Sequence, residues 1–284
     1  MPTLSAACRK ALDAGMDRLD TQLLMLHALG KASHDRAWLV AHDQDTLTAH
    51  AARTFAEICQ RRASGEPLAY IVGHKEFFGL TLKVDSRVLV PRPDTETLVQ
   101  WALDLAQAST DNAPRLLDLG TGSGAVALAL AAQLMRLGFS PTLVAVDSSV
   151  EALTVARANA RQLGLDNLVE FMESDWFANI ESDFDIIVSN PPYINDGDSH
   201  LLALTHEPLK ALTAGADGLR DIRQIVAQAP AHLRHGGWLL LEHGHDQAPR
   251  VQDLLSQRGF TQMRSVVDLG GHERCSGGQW HPGA

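Results

Sequence analysis

The chain has 284 residues, 45% hydrophobic and 20% charged, with a formal net charge of −10. That length allows one large domain or a large one with a small companion. The acidic balance argues against a broad nucleic-acid surface, whose affinity comes from lysine and arginine on phosphates, although it leaves room for a local basic patch. No run reaches the roughly 18 apolar residues of a membrane span.

Residues 1–65 read as a small bundle of helices with short connections. Leu4, Ala7, Cys8, Ala11 and Leu12 fall at helical spacing. Asp20 is placed to cap a second helix through Leu23, Leu24, Leu26 and Ala28, with Gly30 ending it. Ser33 is placed to cap a short third helix, and Thr46 to begin a fourth through Leu47, Ala51, Phe55, Ile58 and Cys59. Nothing in this segment looks catalytic, so its expected job is to hold a partner or shape a cleft. Met1 to Leu12 lacks the apolar core of a secretory signal. Cys8, Cys59 and Cys275 are scattered and odd in number, which fits free thiols in a reducing cytoplasm.

Residues 66–92 change character and read as a β-hairpin linker, with Leu80, Leu82 and Val84 alternating and then Val88-Leu89-Val90. Pro91-Arg92-Pro93-Asp94-Thr95-Glu96 is a stiff entry to the next helix, with Asp94 or Thr95 as its cap. From there to residue 284 strands and helices alternate, the pattern of a doubly wound α/β sheet. The strand candidates are Leu116–Leu119, Leu143–Val146, Val169–Met172, Asp185–Ser189 and Trp238–Leu241. A weaker late pair lies near Met263–Val267 and Glu273–Cys275, and the polar, glycine-rich tail is expected to be partly mobile.

Two stretches carry the chemistry. In the first, Asp118-Leu119-Gly120-Thr121-Gly122-Ser123-Gly124 runs from a strand through a glycine loop into a helix. Glycines there let backbone approach a ligand closely. Gly120-x-Gly122-x-x-Ala125 also satisfies the dinucleotide pattern, and Asp147, ending the next strand, suits a ribose diol in either case. The loop alone therefore does not separate NAD from S-adenosylmethionine. Asp118 tilts the choice, because a carboxylate beside the cavity suits a cationic sulfonium and amino group and is unwelcome beside pyrophosphate. Asp175 and Trp176 follow the third strand, as an acceptor for an adenine amino group and a ring face for it.

In the second, the apolar run Ile186–Val188 stops at Asn190-Pro191-Pro192-Tyr193. Two prolines end the strand, leaving an amide, a stiff backbone and an aromatic ring at its carboxyl edge, where open α/β sheets hold ligands. The Asn190 side-chain oxygen and the Pro191 carbonyl can accept both N–H bonds of a planar NH₂ group. That would hold its nitrogen in line with a sulfonium methyl, a contribution of positioning and electrostatic preorganisation. Pro192 stiffens the turn, and Tyr193 can wall off a flat substrate. Glutamine, adenine and cytosine all carry such a group.

With Glu66-Pro67-Leu68-Ala69-Tyr70-Ile71, Pro91-Arg92-Pro93-Asp94-Thr95-Glu96, the glycine loop, Asn190-Pro191-Pro192-Tyr193-Ile194 and Leu241-Glu242-His243-Gly244, the chain resembles the HemK/PrmC family of protein-(glutamine-N5) methyltransferases over nearly its whole length. The resemblance implies a seven-stranded Rossmann-like methyltransferase domain, residues 93–284, behind the helical bundle and hairpin. It implies S-adenosylmethionine at Gly120, Thr121, Gly122, Ser123, Gly124, Asp147 and Trp176. The substrate glutamine, from the Gly-Gly-Gln loop of class I release factors, would lie at Asn190–Tyr193, with Asn190, Pro191 and Tyr193 catalytic. A cytoplasmic monomer is expected. A ribosomal-protein glutamine methyltransferase is the nearest alternative. A DNA adenine methyltransferase is more distant, since no target-recognition domain or basic cleft is visible. His243 and His245 invite a metal reading, but no compact carboxylate or cysteine set completes it. Glu207–Arg220 is a loop-rich stretch with the character of a lid. Gly277-Gly278-Gln279 repeats the family's substrate tripeptide in the tail, most simply by chance.

Overall fold

The computed structural model describes residues 1–283, which divide into two compact units. The first, Met1–His74 with Ala203–His206, is helical. It holds α1 (Leu4–Asp13), α2 (Arg18–Ala28), α3 (Arg36–Ala41), α4 (Ala49–Ala63) and α5 (Leu68–Val72). Leu4, Leu24, Met25, Leu26, Phe55 and Ile58 fill its core. The expected caps shift by a few residues. Asp17, not Asp20, caps α2, its Oδ1 accepting from Leu19 N at 2.7 Å and Asp20 N at 3.2 Å. Asp20 instead lies in the first turn and meets Arg62 Nε at 2.6 Å. The fourth helix begins at Ala49 rather than Thr46, and Thr48 caps it through Ala51 N at 3.1 Å. Ser33 caps nothing, because α3 begins only after Asp35. In each case a cap must lie immediately before the first helical turn, and the apolar pattern places that turn only approximately.

The hairpin is shorter than the linker assigned to it. Leu68–Val72 is helical, ended by Gly73 at φ +79°. The strands are β1 (His74–Phe77) and β2 (Leu80–Lys83) alone. Val88 and Val90 are buried without joining a strand.

The second unit is built on a seven-stranded sheet of β3 (Arg115–Leu119), β4 (Thr142–Asp147), β5 (Val169–Glu173), β6 (Phe184–Ser189), β7 (Leu233–Glu242), β8 (Thr261–Val267) and β9 (Glu273–Gln279). Their order is β5-β4-β3-β6-β7-β9-β8, parallel from β5 to β7, with β9 antiparallel to both of its neighbours. The helices are α6 (Glu96–Ala108), α7 (Ala125–Arg136), α8 (Val150–Leu163), α9 (Arg220–Gln228) and α10 (Ala248–Arg258). Alternate residues of the central strands feed two cores. Leu116, Ile186 and Val188 pack with α6 and α7, while Leu117, Leu119 and Ile187 pack with α9 and α10. Burial on both faces explains why these strands read as unbroken apolar runs. Each fully buried Leu or Ile contributes roughly 1.5–3 kcal/mol.

The chain runs outward from β3 through β4 to β5, then returns to β6 on the other side of β3. That reversal opens a crevice between the carboxyl ends of β3 and β6, where a doubly wound sheet receives its ligand. Register sets Leu119 opposite Ser189, so Gly120 and Asn190 emerge side by side.

The tail as far as Gln279 is built into the sheet, against expectation. Gly277-Gly278-Gln279 lies within β9, hydrogen-bonded to β7 on one side and β8 on the other. Backbone pairing on both edges and glycines packed closely against β7 and β8 hold what composition suggested would move. A Cβ on Gly277 would lie 2.5 Å from Leu239 O and 2.9 Å from Trp101. The Gln279 amide is engaged too, donating to Gly236 O at 2.8 Å and accepting from Gln262 Nε2 at 2.7 Å.

Candidate functional site

The β3 side of the crevice is made of backbone. Gly120, Gly122 and Gly124 all take positive φ, which lets the loop turn from strand into helix in five residues. Gly124 precedes α7, and a Cβ there would press to 3.1 Å on Leu128 and 3.2 Å on Ala156. Gly122 is different, since a Cβ there would meet nothing within 4 Å, so open space lies beside the loop. Thr121 and Ser123 turn inward and are buried. Asp147, at the end of β4, accepts from Gly122 N through Oδ2 at 2.9 Å and from Ser149 N through Oδ1 at 2.9 Å. Burial raises its pKa, and these backbone bonds oppose the shift. Each oxygen keeps a further lone pair for a diol.

Asp118 is not the cavity carboxylate that the sequence suggested. It is 2% exposed, and its Oδ2 accepts from Thr121 Oγ1 at 2.7 Å and from Ala127 N at 3.2 Å. It therefore braces the loop from beneath and occupies an amide in the first turn of α7. Burial pushes its pKa up to about 7. Its side chain alternates onto the face of β3 that packs under α7, a direction the strand period sets but the motif does not reveal. The same placement bears on the choice of ligand. A dinucleotide's pyrophosphate needs free amides at that helix end, and here one is already held by a carboxylate.

Trp176 stands over the loop, with its ring 3.4 Å from where a Gly120 Cβ would be. It holds φ +50°, a strained setting for a tryptophan. Ser174, 2% exposed, fixes that turn by donating to Trp176 O at 2.8 Å and accepting from Asn179 N at 3.0 Å. Asp175 is exposed at the rim. Asn159, fully buried in α8, is a residue sequence reasoning missed. Its Nδ2 donates to Ser123 O at 2.9 Å and to Lys83 O at 3.0 Å, and its Oδ1 accepts from Lys83 N at 2.7 Å. It joins the glycine loop to the hairpin. An amide at an i, i+3 apolar position of the helix was the one available signal.

The β6 side is made of side chains. Ser189 Oγ donates to Leu119 O at 2.7 Å and ties the two strand ends together. Asn190 Nδ2 donates to Thr95 Oγ1 at 3.1 Å. Thr95 is 4% exposed and makes no cap bond, and Asp94 makes none either. One or the other was expected to cap α6. A short 3₁₀ turn over Pro93–Thr95 leads into the helix instead, which turns Thr95 toward Asn190 and Asp94 toward Arg274, 3.2 Å away. Pro191 is buried, while Pro192 and Tyr193 are half-buried. The Tyr193 hydroxyl donates to Glu242 Oε1 at 3.4 Å. Burial, and then the nearby Glu242 charge, keep that phenol protonated.

The Glu207–Arg220 stretch is tied down along its length. Arg92 Nη2 and Val90 N donate to Glu207 at 2.5 and 3.1 Å. Ile194 exchanges backbone bonds of 2.9 Å with Leu212 O and Ala214 N. Gly218, at φ +70°, passes so close that a Cβ would lie 2.3 Å from Tyr193 O. Gln247 Nε2 donates to the same carbonyl at 3.0 Å. His243 uses both ring nitrogens internally, on Gly244 O at 2.8 Å and Ser276 Oγ at 2.7 Å, and is fully buried. His245 packs edge-on against His272.

Comparison with known proteins bears on the family and the fold. Residues 100–267 match the methyltransferase small domain family, and residues 4–73 match the PrmC N-terminal domain. Among solved structures, a Pyrococcus furiosus methyltransferase superposes with a TM-score of 0.51 at 18% identity, covering 81% of this chain and 99% of that one. The T. thermophilus 16S rRNA methyltransferase does so with a TM-score of 0.53 at 20% identity, covering 72% and 49%. These likenesses show a class I methyltransferase fold. Sequence relatives are closer. The release factor glutamine methyltransferase of Pseudomonas aeruginosa is 47% identical over 271 residues, 94% of each chain. That of Yersinia pestis is 41% identical across 98% of this chain and 97% of the other. The chain therefore belongs to the release factor glutamine methyltransferase family.

Proposed function

We propose that this enzyme transfers the methyl group of S-adenosylmethionine to the side-chain amide nitrogen, N5, of the glutamine in the Gly-Gly-Gln loop of class I peptide-chain release factors. The observation that carries the reading is the Asn190 side chain. Its Nδ2 is held by Thr95, so its oxygen remains to accept from a substrate amide, one strand away from a glycine loop with open space beside it.

Bound S-adenosylmethionine would supply a methyl group on a sulfonium, which departs as a neutral thioether. Gly120, Thr121, Gly122, Ser123 and Gly124 line its approach, with Asp118 bracing them. Asp147 accepts from the ribose hydroxyls, Trp176 covers a face, and Asp175 stands at the rim. Asn190 Oδ1 and the Pro191 carbonyl accept the two amide N–H groups. That fixes the nitrogen and favours its lone pair pointing at the methyl. As the N–C bond forms and the C–S bond breaks, the nitrogen's proton becomes acidic and is lost to water, so no strong base is required. Pro192 and Tyr193 wall the substrate.

The helical bundle docks the release factor, and the enzyme acts as a cytoplasmic monomer without direct contact to nucleic acid or membrane. Removing residues 1–65 should raise KM for a whole release factor more than for a short glutamine peptide. Equal effects would refute docking.

The decisive experiment is methyl transfer from labelled S-adenosylmethionine to a purified class I release factor and to its Gln→Ala loop variant. Label on the first alone is the expected result. Label on neither, with cofactor binding intact, would overturn the reading and direct the search to ribosomal proteins first and to adenine in DNA second.

A further inference from the structure

Glu242 has no part in the chemistry described so far, yet it is fully buried at the end of β7, beside the substrate-facing turn. Its Oε1 accepts from Tyr193. Its Oε2 is buried without a hydrogen-bond partner. The Thr95 hydroxyl is among the groups whose interaction favours the charged carboxylate. That hydroxyl already accepts from Asn190 and has one proton of its own to give.

Hydrogen-bond polarity then fixes a direction. An ionised carboxylate can only accept, so a bond between the two runs from Thr95 to Glu242. Having donated its proton, Thr95 can only accept from Asn190, so Asn190 must turn Nδ2 inward and Oδ1 outward. We propose that Glu242 is a positioning residue acting through Thr95: its carboxylate takes the Thr95 proton, Thr95 holds Asn190 Nδ2, and Asn190 Oδ1 is left as the acceptor for the substrate amide. The inference rests on the reading of Asn190 given above.

A proton on Glu242 would reverse the order. The carboxyl would then donate to Thr95, and Thr95 to Asn190, drawing Oδ1 inward and presenting an NH₂ to an NH₂. The groups facing Glu242 come from every neighbouring element. Asp94 on the turn before α6 opposes its charge, while Arg274 on β9 and the Tyr193 hydroxyl favour it. Cys275, its partner across β9, is held as a neutral thiol by burial, and Arg274 is shared between Asp94 and Asp268. Burial dominates and raises the Glu242 pKa to about 7. Turnover should therefore fall as the pH drops through about 7, while cofactor affinity does not.

The test compares the full-length enzyme with Thr95→Val, Thr95→Ser and Glu242→Gln, using labelled S-adenosylmethionine and a release factor across pH. Thr95→Val should lower kcat about 10- to 100-fold with little change in KM for S-adenosylmethionine, and Thr95→Ser should restore it. The unaltered enzyme should show a one-proton acid limb in kcat near pH 7, which Thr95→Val and Glu242→Gln lack. Wild-type turnover in Thr95→Val, or an acid limb unchanged in Glu242→Gln, would overturn the relay. If Thr95→Val does not fold, the Glu242→Gln profile decides. No labelling by the unaltered enzyme would remove the reading of Asn190, and the relay with it.

Discussion

The two sides of the crevice are built differently. The β3 side is local, with the loop, its brace Asp118 and the start of α7 all within ten residues, and Asp147 held by two backbone amides. The β6 side is assembled from afar. Asn190 meets Thr95, Tyr193 meets Glu242, and Glu207 meets Arg92, across sequence separations of 95, 49 and 115 residues. A site made of amides needs only the right glycines in one turn. A site that must aim one amide oxygen needs buried polar groups brought together from several elements.

If that division is right, substitutions on the two sides should separate catalysis from cofactor binding. The largest effect belongs to Asn190→Ala. Turnover should fall by about 10²-fold or more, ~3 kcal/mol of transition-state stabilisation, with cofactor Kd little changed. A collapse of cofactor affinity in a folded variant would break the comparison. Next is Gly218→Ala, which places a Cβ 2.3 Å from Tyr193 O in a backbone setting at φ +70°. It should cost about 1–3 kcal/mol of stability in thermal unfolding, and it should reduce turnover without touching cofactor titrations.

On the β3 side, Asp147→Ala should weaken cofactor binding about tenfold by calorimetry, ~1.4 kcal/mol. At saturating cofactor, kcat should stay near that of the unaltered enzyme. The smallest expected effect is Asp118→Asn. The folded pKa of Asp118, about 7, lies above its unfolded value, so the native state binds more protons between pH 4 and 7. Its contribution to stability is therefore lost as pH rises through that window. Melting temperatures measured from pH 5 to 8 should fall less steeply in the variant than in the parent. Parallel curves would show that Asp118 ionises freely.

The same division governs what could be read from the chain alone. The parallel sheet was legible because its central strands, β3 and β6, are apolar runs closed by glycine or proline. The loop, Asp147 and Asn190-Pro191-Pro192-Tyr193 were legible because each is a contiguous motif or a fixed step along one βα unit. Asp118 was found but misdirected, since its neighbourhood is set by which face of β3 packs under α7. Thr95 was misread for a related reason, as a residue before a helix is ordinarily its cap. Here a 3₁₀ turn satisfies the helix end and frees the hydroxyl for a residue 95 positions away. Asn159 carries no motif, and nothing but three-dimensional packing reveals that it joins hairpin and loop.

Burial of Gly277-Gly278-Gln279 in β9 has a consequence for how substrates of such an enzyme are recognised. The enzyme carries in its own sequence the three letters that would mark a target, in a form that offers it no amide: the glycines are walled in, and both ends of the glutamine side chain are already engaged. The signature is therefore a property of presentation rather than of spelling. A proteome searched for the tripeptide by string alone would return the enzyme among its own targets, whereas a search that also required a solvent-facing, unbonded glutamine would discard it.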